Sequence, residues 1–487
     1  MDSLEKYFEK FRKNTIGYNS AFESPYGTKS LIYADWLASG RLYQPIEQKI
    51  QEDFGPFVAN THTETSETGV RMTRSYHHAQ QIIKNHVNAG PNDVIVNDGS
   101  GMTAVINKLQ RILGLKGCGM LKNKDCLREA EKPVVFVTHM EHHSNHTSWL
   151  ETMADVVLLE PDENLLVDTK DLEHKLKNYK DRKFKIGSFS ACSNVTGIQP
   201  PYHKLAKIMH QHGGLAFVDF AASAPYVDMD MHPEDPEEKL DAIFFSPHKF
   251  LGGPGSAGIM VFDKRLYHTP VPDNPGGGTV DWTNRWGEYK FLDDIEARED
   301  GGTPGFLQVI RAALSIKLKE QMGIENIEAR EKELVQLAFQ ELRKIPGIKL
   351  LADDVEDRLG VISFYHEDIH FNLLVKLLND RYGIQVRGGC ACAGTYGHYL
   401  LNVTYKDSKH ITDLINHGDL SQKPGWVRLS LHPTMRDDEV YYFANALKEI
   451  IENINEWEKD YSYNKHLNEF VHKSFHPFDI EKWFEME

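Results

Sequence analysis

Short apolar runs alternate with amphipathic stretches between about residues 46 and 265 of the chain. Runs such as Val134–Thr138 and Leu215–Asp219 carry almost no polar residue, which is typical of strands buried on both faces of a parallel sheet. Between such runs, residues 102–113 and 202–212 have the spacing of amphipathic helices. Further strand-like runs begin at Val94, Val156, Lys185, Ala242 and Gly258. The repeated strand–helix–strand units predict an α/β fold with a mostly parallel sheet covered by helices on both faces.

The second half of the chain follows a different pattern. Long helical stretches cover residues 306–322, 325–344 and 437–457, and strand-like runs at 361–365 and 426–431 stand apart from one another. This arrangement predicts a smaller α+β domain.

We therefore divide the chain into three parts. An N-terminal segment at 1–45 packs with the small domain, a large domain covers 46–300, and the small domain with a C-terminal extension covers 301–487. The boundary near residue 300 falls in a stretch rich in Gly, Pro and Asp, which is typical of a connection. Residues 114–132 and 402–424 look like insertions.

Composition and charge narrow the function classes. The chain has 487 residues, of which 40% are hydrophobic and 26% charged, which excludes a disordered or fibrous protein. Its 71 acidic and 55 basic residues give a net charge of −16, which argues against nucleic acid as a partner because a phosphate backbone would be repelled. The odd number of cysteines, 5, suits a reducing compartment. Since the N-terminus is charged and no apolar run approaches the roughly 20 residues that cross a bilayer, we expect a cytoplasmic protein without membrane contact.

Two charged residues stand at the ends of strand-like runs, where α/β sheets bind their ligands. Lys249 follows the run at 242–246 and precedes a glycine-rich turn, so burial would lower its pKa and make its amine a nucleophile. Asp219 ends the run Leu215–Asp219 and would hold a cofactor's ring nitrogen protonated. Taken alone, each residue is more often an ordinary loop lysine or a helix-capping carboxylate.

Two further motifs follow strand-like runs. The turn Asp98-Gly-Ser-Gly-Met-Thr103 lies between a strand and a helix and offers free N–H groups to an anion, although such glycines often bind nothing. In Glu141-His-His-Ser-Asn145, the adjacent histidines suit stacking or proton transfer, or are plain loop residues. No ligand cluster with metal spacing follows them, so we predict no metal site.

The loop Arg387-Gly-Gly-Cys-Ala-Cys392 places two of the chain's cysteines two positions apart. Its basic neighbour, Arg387, favours a reactive thiolate. The alternative is a pair of inert buried thiols.

The order of these motifs resembles the class V aminotransferase family of fold type I pyridoxal-phosphate enzymes, and most closely its cysteine desulfurase and selenocysteine lyase branch. The resemblance extends from about Ile32 to about residue 450. The matching blocks lie at 98–103, 141–145, 193–197, 218–221, 245–250, 276–279, 298–304, 386–393 and 427–430. It implies a large pyridoxal-phosphate-binding domain built on a seven-stranded type of sheet, with a smaller C-terminal domain.

The resemblance assigns cofactor roles to the matching residues. Lys249 would form the Schiff base with pyridoxal 5'-phosphate, and Asp219 would pair with its pyridine nitrogen. His142, counted among the catalytic residues, would stack on the ring, and Asn194 would reach the ring oxygen. The residues that would hold the phosphate are Ser100, Gly101, Met102, Ser246 and His248.

The resemblance also implies partners and a substrate. Arg428 would bind the carboxylate of a small amino acid, with Arg387 in the same pocket, and Cys392 stands where desulfurases carry their nucleophile. Thr279 matches a residue that reaches the phosphate of the other subunit, which implies a homodimer with shared active sites. A sulfur-acceptor protein is a further partner that this reaction admits.

The chain departs from the family pattern in places. Ala222 stands where the family usually has Gln, and Gly101 and Met102 replace a threonine and an acidic residue of the phosphate turn. Cys390 and Ala391 stand where desulfurases commonly carry histidines.

We therefore expect a pyridoxal-phosphate-dependent desulfurase or selenocysteine lyase-like enzyme, which releases alanine with a persulfide on Cys392. The departures at Ala222 and in the cysteine loop favour an alternative, another class V reaction such as transamination, epimerisation or β-elimination. A third hypothesis is a scaffold without activity, against which the retained Lys249, Asp219 and Arg428 argue.

Overall fold

A computed structural model describes residues 3–99, 101–117, 128–474 and 479–486 of the chain. The N-terminal helices and strands are short, apart from the last helix. They are α1 (Leu4–Tyr7), α2 (Glu9–Lys13), β1 (Ala21–Ser24), β2 (Gly27–Ser30), β3 (Ile32–Tyr33), α3 (Gln44–Lys49) and α4 (Glu67–His86).

A seven-stranded sheet forms the centre of the molecule, as the sequence predicts. Its strands are β4 (Asp93–Asp98), β5 (Val134–Thr138), β6 (Asp155–Leu159), β7 (Lys185–Ser190), β8 (Leu215–Asp219), β9 (Ala242–Phe245) and β10 (Gly258–Asp263). They lie in the order β4-β10-β9-β8-β7-β5-β6, and β10 runs antiparallel to both of its neighbours. The remaining pairs are parallel, so the expected α/β class with a mostly parallel sheet is confirmed.

Helices cover both faces of this sheet because its apolar side chains point alternately to either side. The connecting helices are α5 (Met102–Ile112), α6 (His143–Leu150), α7 (Thr169–Asn178) and α8 (Tyr202–Gln211). On one face, Phe217 packs with Trp149 of α6 and with apolar residues of α5. On the other face, Val218 packs into the core that includes α4.

The C-terminal part carries a smaller sheet. Its helices and strands are α9 (Ile295–Glu299), α10 (Phe306–Met322), α11 (Ile324–Leu342), β13 (Ile348–Leu350), β14 (Val361–His366), α12 (Phe371–Tyr382), β15 (Ile384–Gln385), β16 (Arg387–Gly389), α13 (Gly394–Leu400), α14 (Tyr405–Asn416), β17 (Trp426–Ser430) and α15 (Asp437–Trp457). The antiparallel order is β13-β14-β17-β16. Two hairpins stand apart: β11 (Val280–Thr283) with β12 (Tyr289–Phe291), and β18 (Tyr461–Asn464) with β19 (Glu469–His472).

The N-terminal segment joins the C-terminal part through main-chain bonds. Strand β3 pairs in parallel with β15, and Asp35 forms a bridge with Ser430. Asp35 is thereby placed beside β17, next to the carboxyl edge of the central sheet. The three-part division of the chain stays a prediction.

Some elements differ from the sequence-based expectations. Helix α4 went unnoticed because its buried positions, Met72, Tyr76, Ala79 and Ile83, are separated by many polar residues that dilute the apolar signal. The stretch at 402–424, interpreted as an insertion, contains helix α14. The other proposed insertion, at 114–132, lies partly outside the described residues. Among the helices described here, none has the length and apolar composition needed to cross a membrane.

Phe217 tests how strongly the sheet depends on its core. Its ring is fully buried between Trp149 and Phe244, at centroid distances of 6.4 and 6.3 Å. We expect Phe217→Ala to lower the free energy of unfolding by about 3–5 kcal/mol because it leaves a cavity. Urea unfolding of both proteins measures the difference.

The matched control is Tyr405→Ala, at a side chain that is 85% exposed. It is expected to change the free energy of unfolding by less than about 0.5 kcal/mol. Equal losses in the two variants would contradict the packing described here.

Candidate active site

A cavity of about 210 Å³ opens at the carboxyl ends of the parallel strands. Strands β5, β7, β8 and β9 each deliver a residue or a following loop to it. The predicted site residues that line it are Gly101, Met102, His142, Asn194, Asp219, Ser246, His248, Lys249, Arg387, Cys392 and Arg428. The structure therefore gathers most of the predicted site, although the role of each residue stays a prediction.

Two predicted residues are not part of this lining. Ser100 lies outside the described residues. Thr279 is fully buried elsewhere, where its hydroxyl donates to the Gly276 carbonyl at 2.7 Å. Its expected contact with a second subunit stays a prediction.

Lys249 occupies the turn that follows β9. Within the described part of the chain, its Nζ amine has no hydrogen-bond partner, and it faces the cavity. Burial lowers the pKa of Lys249 to about 8, while the nearby Asp219 carboxylate opposes that shift. The neutral amine, which is the form that a nucleophile requires, is therefore more populated near neutral pH than in an ordinary lysine.

Asp219 ends β8 and points into the same cavity. Burial raises the pKa of Asp219 to about 6, and the Ala221 N–H, which donates to Oδ1 at 2.8 Å, opposes that shift. This is the one hydrogen bond of the carboxylate itself to the described residues, so Oδ2 is left for a cationic partner.

Gly101 and the start of α5 form a cradle for an anion. Gly101 has a φ of +104°, and a Cβ there would lie 2.9 Å from His248 Cε1. The Met102 N–H donates to Ser246 Oγ at 2.9 Å, and the N-terminus of α5 adds the positive end of a helix dipole. The unusual Gly101 and Met102 therefore leave the N-terminus of α5 beside the cavity.

His142 is the N-cap of α6, and its Nδ1 accepts from the Ser144 N–H at 3.1 Å. Burial lowers the pKa of His142 to about 3, so the ring that lines the cavity is neutral near neutral pH. Glu141, which sequence reasoning left without a role, lies beneath it with hydrogen bonds from Thr138, Asn145 and Ser190. Burial raises the pKa of Glu141 to about 7.

Asp35 is a site residue that sequence reasoning missed. Its Oδ1 accepts from Arg428 Nη2 at 2.9 Å, and its Oδ2 accepts from Arg387 Nε at 3.0 Å. Arg428 also donates Nη1 to the Asn194 carbonyl at 3.2 Å, which leaves further N–H groups of its fork unused among the described residues. The sequence feature that could have identified Asp35 is its position directly after the apolar run at 32–34.

The cysteine loop is tied to the cavity by its main chain. The Asn194 side-chain amide donates to the Ala391 carbonyl, and the His143 N–H donates to the Cys392 carbonyl at 2.8 Å. His143 Nε2 accepts from the Gly394 N–H at 2.9 Å. Cys392 itself is exposed at the mouth of the cavity, as a free thiol.

The residues present fit pyridoxal phosphate. Lys249 supplies an amine for its aldehyde, Asp219 a carboxylate for its ring nitrogen, and the cradle at Gly101 and α5 a place for its phosphate. Asn194 adds a buried Oδ1 that has no hydrogen-bond partner among the described residues. Ala222 is a poor match, since it lines the cavity without a polar side chain.

Comparison with known proteins agrees with the resemblance. The model of the family "Aminotransferase class-V" matches residues 32–443 of the chain. A probable cysteine desulfurase of Halalkalibacterium halodurans is 28% identical over 373 residues, which are 74% of this chain and 84% of the relative. A probable cysteine desulfurase of Staphylococcus epidermidis is 28% identical over 376 residues, which are 76% and 85% of the two chains.

Solved structures share the fold. A cysteine desulfurase from Thermococcus onnurineus superposes with a TM-score of 0.72 at 22% identity, over 91% of this chain and 98% of that one. The cysteine desulfurase CsdA of Escherichia coli gives a TM-score of 0.70 at 21% identity, over 93% and 99%. The expected fold type is thereby confirmed.

The pH dependence of Lys249 tests the electrostatics of the cavity. Because its pKa is lowered to about 8, its neutral and reactive form dominates above that pH. We expect acetylation of Lys249 in the cofactor-free protein by acetic anhydride to be half-maximal near pH 8. Peptide mass mapping after brief reaction at each pH measures it.

The internal control is Lys290, whose pKa is raised above the ordinary 10.5 chiefly by its hydrogen bond to Asp293. Its labelling is expected to reach half its maximum only above that value. Parallel titration of the two lysines would contradict a buried amine at Lys249.

Proposed function

The chain belongs to the class V aminotransferase family, and from this we propose that it is a pyridoxal-phosphate-dependent cysteine desulfurase. It would release alanine from L-cysteine and take the sulfur on Cys392. The observation that carries the proposal is that Lys249, Asp219, Arg428 and Cys392 line one cavity. Relatives named probable cysteine desulfurases support it.

Lys249 and Asp219 are the residues proposed to hold the cofactor and support its chemistry. Bound pyridoxal phosphate supplies an electron sink for the substrate's α-carbon. The Asp219 carboxylate would keep a proton on the ring nitrogen at the closed end of the cavity. The neutral Lys249 amine would remove the α-proton and return it later as a general acid.

Asp35 and two arginines are proposed to position the substrate. The guanidinium of Arg428 would take the substrate carboxylate, while Asp35 fixes the orientation of that guanidinium. Arg387, held by the other oxygen of Asp35, adds a second positive charge at the mouth. A small amino acid bound in this way points its side chain towards the cavity mouth, where Cys392 lies.

Cys392 is proposed to accept the sulfur as a persulfide. Its thiolate attacks the sulfur of the substrate, and a sulfur–sulfur bond forms as the carbon–sulfur bond breaks. The electrons of the broken bond stay with the β-carbon, which takes a proton and becomes the methyl group of alanine. The same attack applies to L-selenocysteine, for which the product is bound selenium.

We also propose a homodimer with shared sites. The hairpin β11–β12 follows Thr279 and exposes aromatic side chains, with Trp286 73% and Tyr289 58% accessible. Apolar surface of this kind marks an interaction site. A second copy of the chain would cover this hairpin, and Thr279 at its base would lie near that interface.

One observation favours a second candidate. Ala222 lines the cavity and offers no side-chain hydrogen bond to a cofactor ring. A differently tuned ring would suit another class V reaction on a small amino acid, such as transamination or β-elimination.

Alanine release from L-cysteine tests the first proposal. The cofactor-loaded wild type should form alanine under reducing conditions, and Cys392→Ala should lose at least about 99% of that rate, because the sulfur has no acceptor. Chromatographic quantification of alanine measures both proteins.

Cofactor retention after gel filtration is the control, and Cys392→Ala should retain as much as the wild type. Full activity of the variant would contradict the persulfide. No alanine from the loaded wild type would favour the second candidate.

Asp35→Asn tests the positioning of the arginines. Loss of the charge that orients Arg428 should raise KM for L-cysteine roughly tenfold, which corresponds to about 1.4 kcal/mol, with little change in kcat. Steady-state alanine formation measures both constants.

The matched control is Asp413→Asn on the exposed helix α14, which should behave as wild type. A fall in kcat at unchanged KM would contradict a role of Asp35 in substrate binding.

A further inference from the structure

The two cysteines of the loop open onto different cavities. Cys392 lines the active-site cavity, whereas Cys390 lines a neighbouring cavity of about 790 Å³. Both are free thiols, and Cys390 is partly buried while Cys392 is exposed. Two thiols that are only two positions apart in the sequence therefore line different cavities.

The second cavity is lined in part by two segments that do not line the active-site cavity, the stretch at 402–424 and the C-terminal extension. One wall consists of α12 and β16. The other contains Leu420 and Lys423, from the stretch at 402–424, and residues 467–472 of the C-terminal extension. Lys423 supplies a positive charge to the cavity that Cys390 faces.

These two segments are bound to each other. The Leu420 N–H donates to the Lys465 carbonyl at 2.9 Å, and the Lys465 amine pairs with Asp419 at 2.9 Å. Asn372 of α12 closes the far side, where its amide donates to the Asn468 carbonyl at 2.6 Å. The cavity beside Cys390 is therefore built by specific contacts.

The cysteines belong to one tight turn. The Ala393 N–H donates to the Cys390 carbonyl at 3.0 Å and closes the turn. Ala391 and Cys392, the two residues inside this turn, have left-handed φ values of +49° and +57°. Such values are unfavourable for residues other than glycine. Gly389, which precedes the turn, has a φ of +116° and no atom within 4 Å of where a Cβ would lie.

The separation suits transfer between the thiols. Cα atoms two positions apart lie at most about 7 Å from each other, close to the range of about 4.4–6.8 Å that disulfide-linked cysteines span. An extra sulfur on Cys392 adds about 2 Å of reach towards Cys390.

We propose that Cys390 is a second sulfur-carrying residue, which takes the outer sulfur from a Cys392 persulfide and presents it in the second cavity. The inference rests on the proposed desulfurase function. The Cys390 thiolate attacks the outer sulfur, a new sulfur–sulfur bond forms on Cys390, and the Cys392 thiolate leaves. No oxidant or reductant is consumed, because one thiolate and one persulfide are present on each side.

This transfer has a functional result. Cys392 becomes free to accept sulfur from a further substrate while the first sulfur is held in a cavity apart from the substrate site. The chain would therefore store sulfur on both residues when no external thiol removes it.

A burst experiment without added thiol tests the proposal. Because L-cysteine is itself a thiol that slowly removes persulfide sulfur, cofactor-loaded wild type, Cys390→Ser and Cys392→Ala are each mixed rapidly with L-cysteine and quenched at successive times. The alanine formed in the burst is thereby separated from the slower steady phase. The expected burst of the wild type is about twofold larger than that of Cys390→Ser, with the same rate constant for the first turnover. Cys392→Ala should give none.

Fragmentation mass spectrometry of the loop peptide locates the sulfur after alkylation. We expect the added atom on Cys390 and on Cys392 in the wild type, on Cys392 alone in Cys390→Ser, and on neither in Cys392→Ala.

Three results would overturn the relay. Equal bursts with sulfur on Cys392 alone would show that Cys390 accepts none. Release of hydrosulfide with a Cys390–Cys392 disulfide would show attack on the inner sulfur instead. Absence of alanine from the cofactor-loaded wild type would remove the proposed function, and the relay with it, whereas the first two results leave that function standing.

Discussion

Parallel strands end at one edge of a sheet, and this constraint assembles the active-site cavity. Asp219 ends β8, Lys249 follows β9, and His142 follows β5, so residues far apart in sequence meet without any long loop. The small sheet then closes the opening with Arg428 on β17. The chemistry of the cavity therefore depends on strand direction before it depends on any single contact.

Burial acts on the charges of this cavity in a consistent direction. It lowers the pKa of Lys249 and raises the pKa of Asp219, so both groups are pushed towards their neutral forms. Burial also lowers the pKa of Arg428, and the Asp35 carboxylate, which binds both Arg428 and Arg387, opposes that shift. A bound anionic substrate would give the arginines a further partner, and a cationic ring nitrogen would give Asp219 one.

Local patterns were sufficient for the central sheet and for the residues at its strand ends, because buried parallel strands leave unbroken apolar runs. The family expected from those motifs is confirmed, and so is its fold. Helix α4 was not predicted because many polar residues separate the apolar residues of its buried face. The bridge from Asp35 to Arg387 and Arg428 was not predictable, since it depends on the pairing of β3 with β15 across more than half of the chain.

The stretch from Ala391 to Gly394 is hydrogen-bonded to neighbouring residues through its main chain. Asn194 and His143 bind carbonyl and N–H groups of Ala391, Cys392 and Gly394, and none of these bonds involves a side chain of the loop. These hydrogen bonds are thus independent of the side chains that the stretch carries. Position 390 can therefore present a different chemical group to the second cavity without any change in the hydrogen bonds that anchor the neighbouring residues.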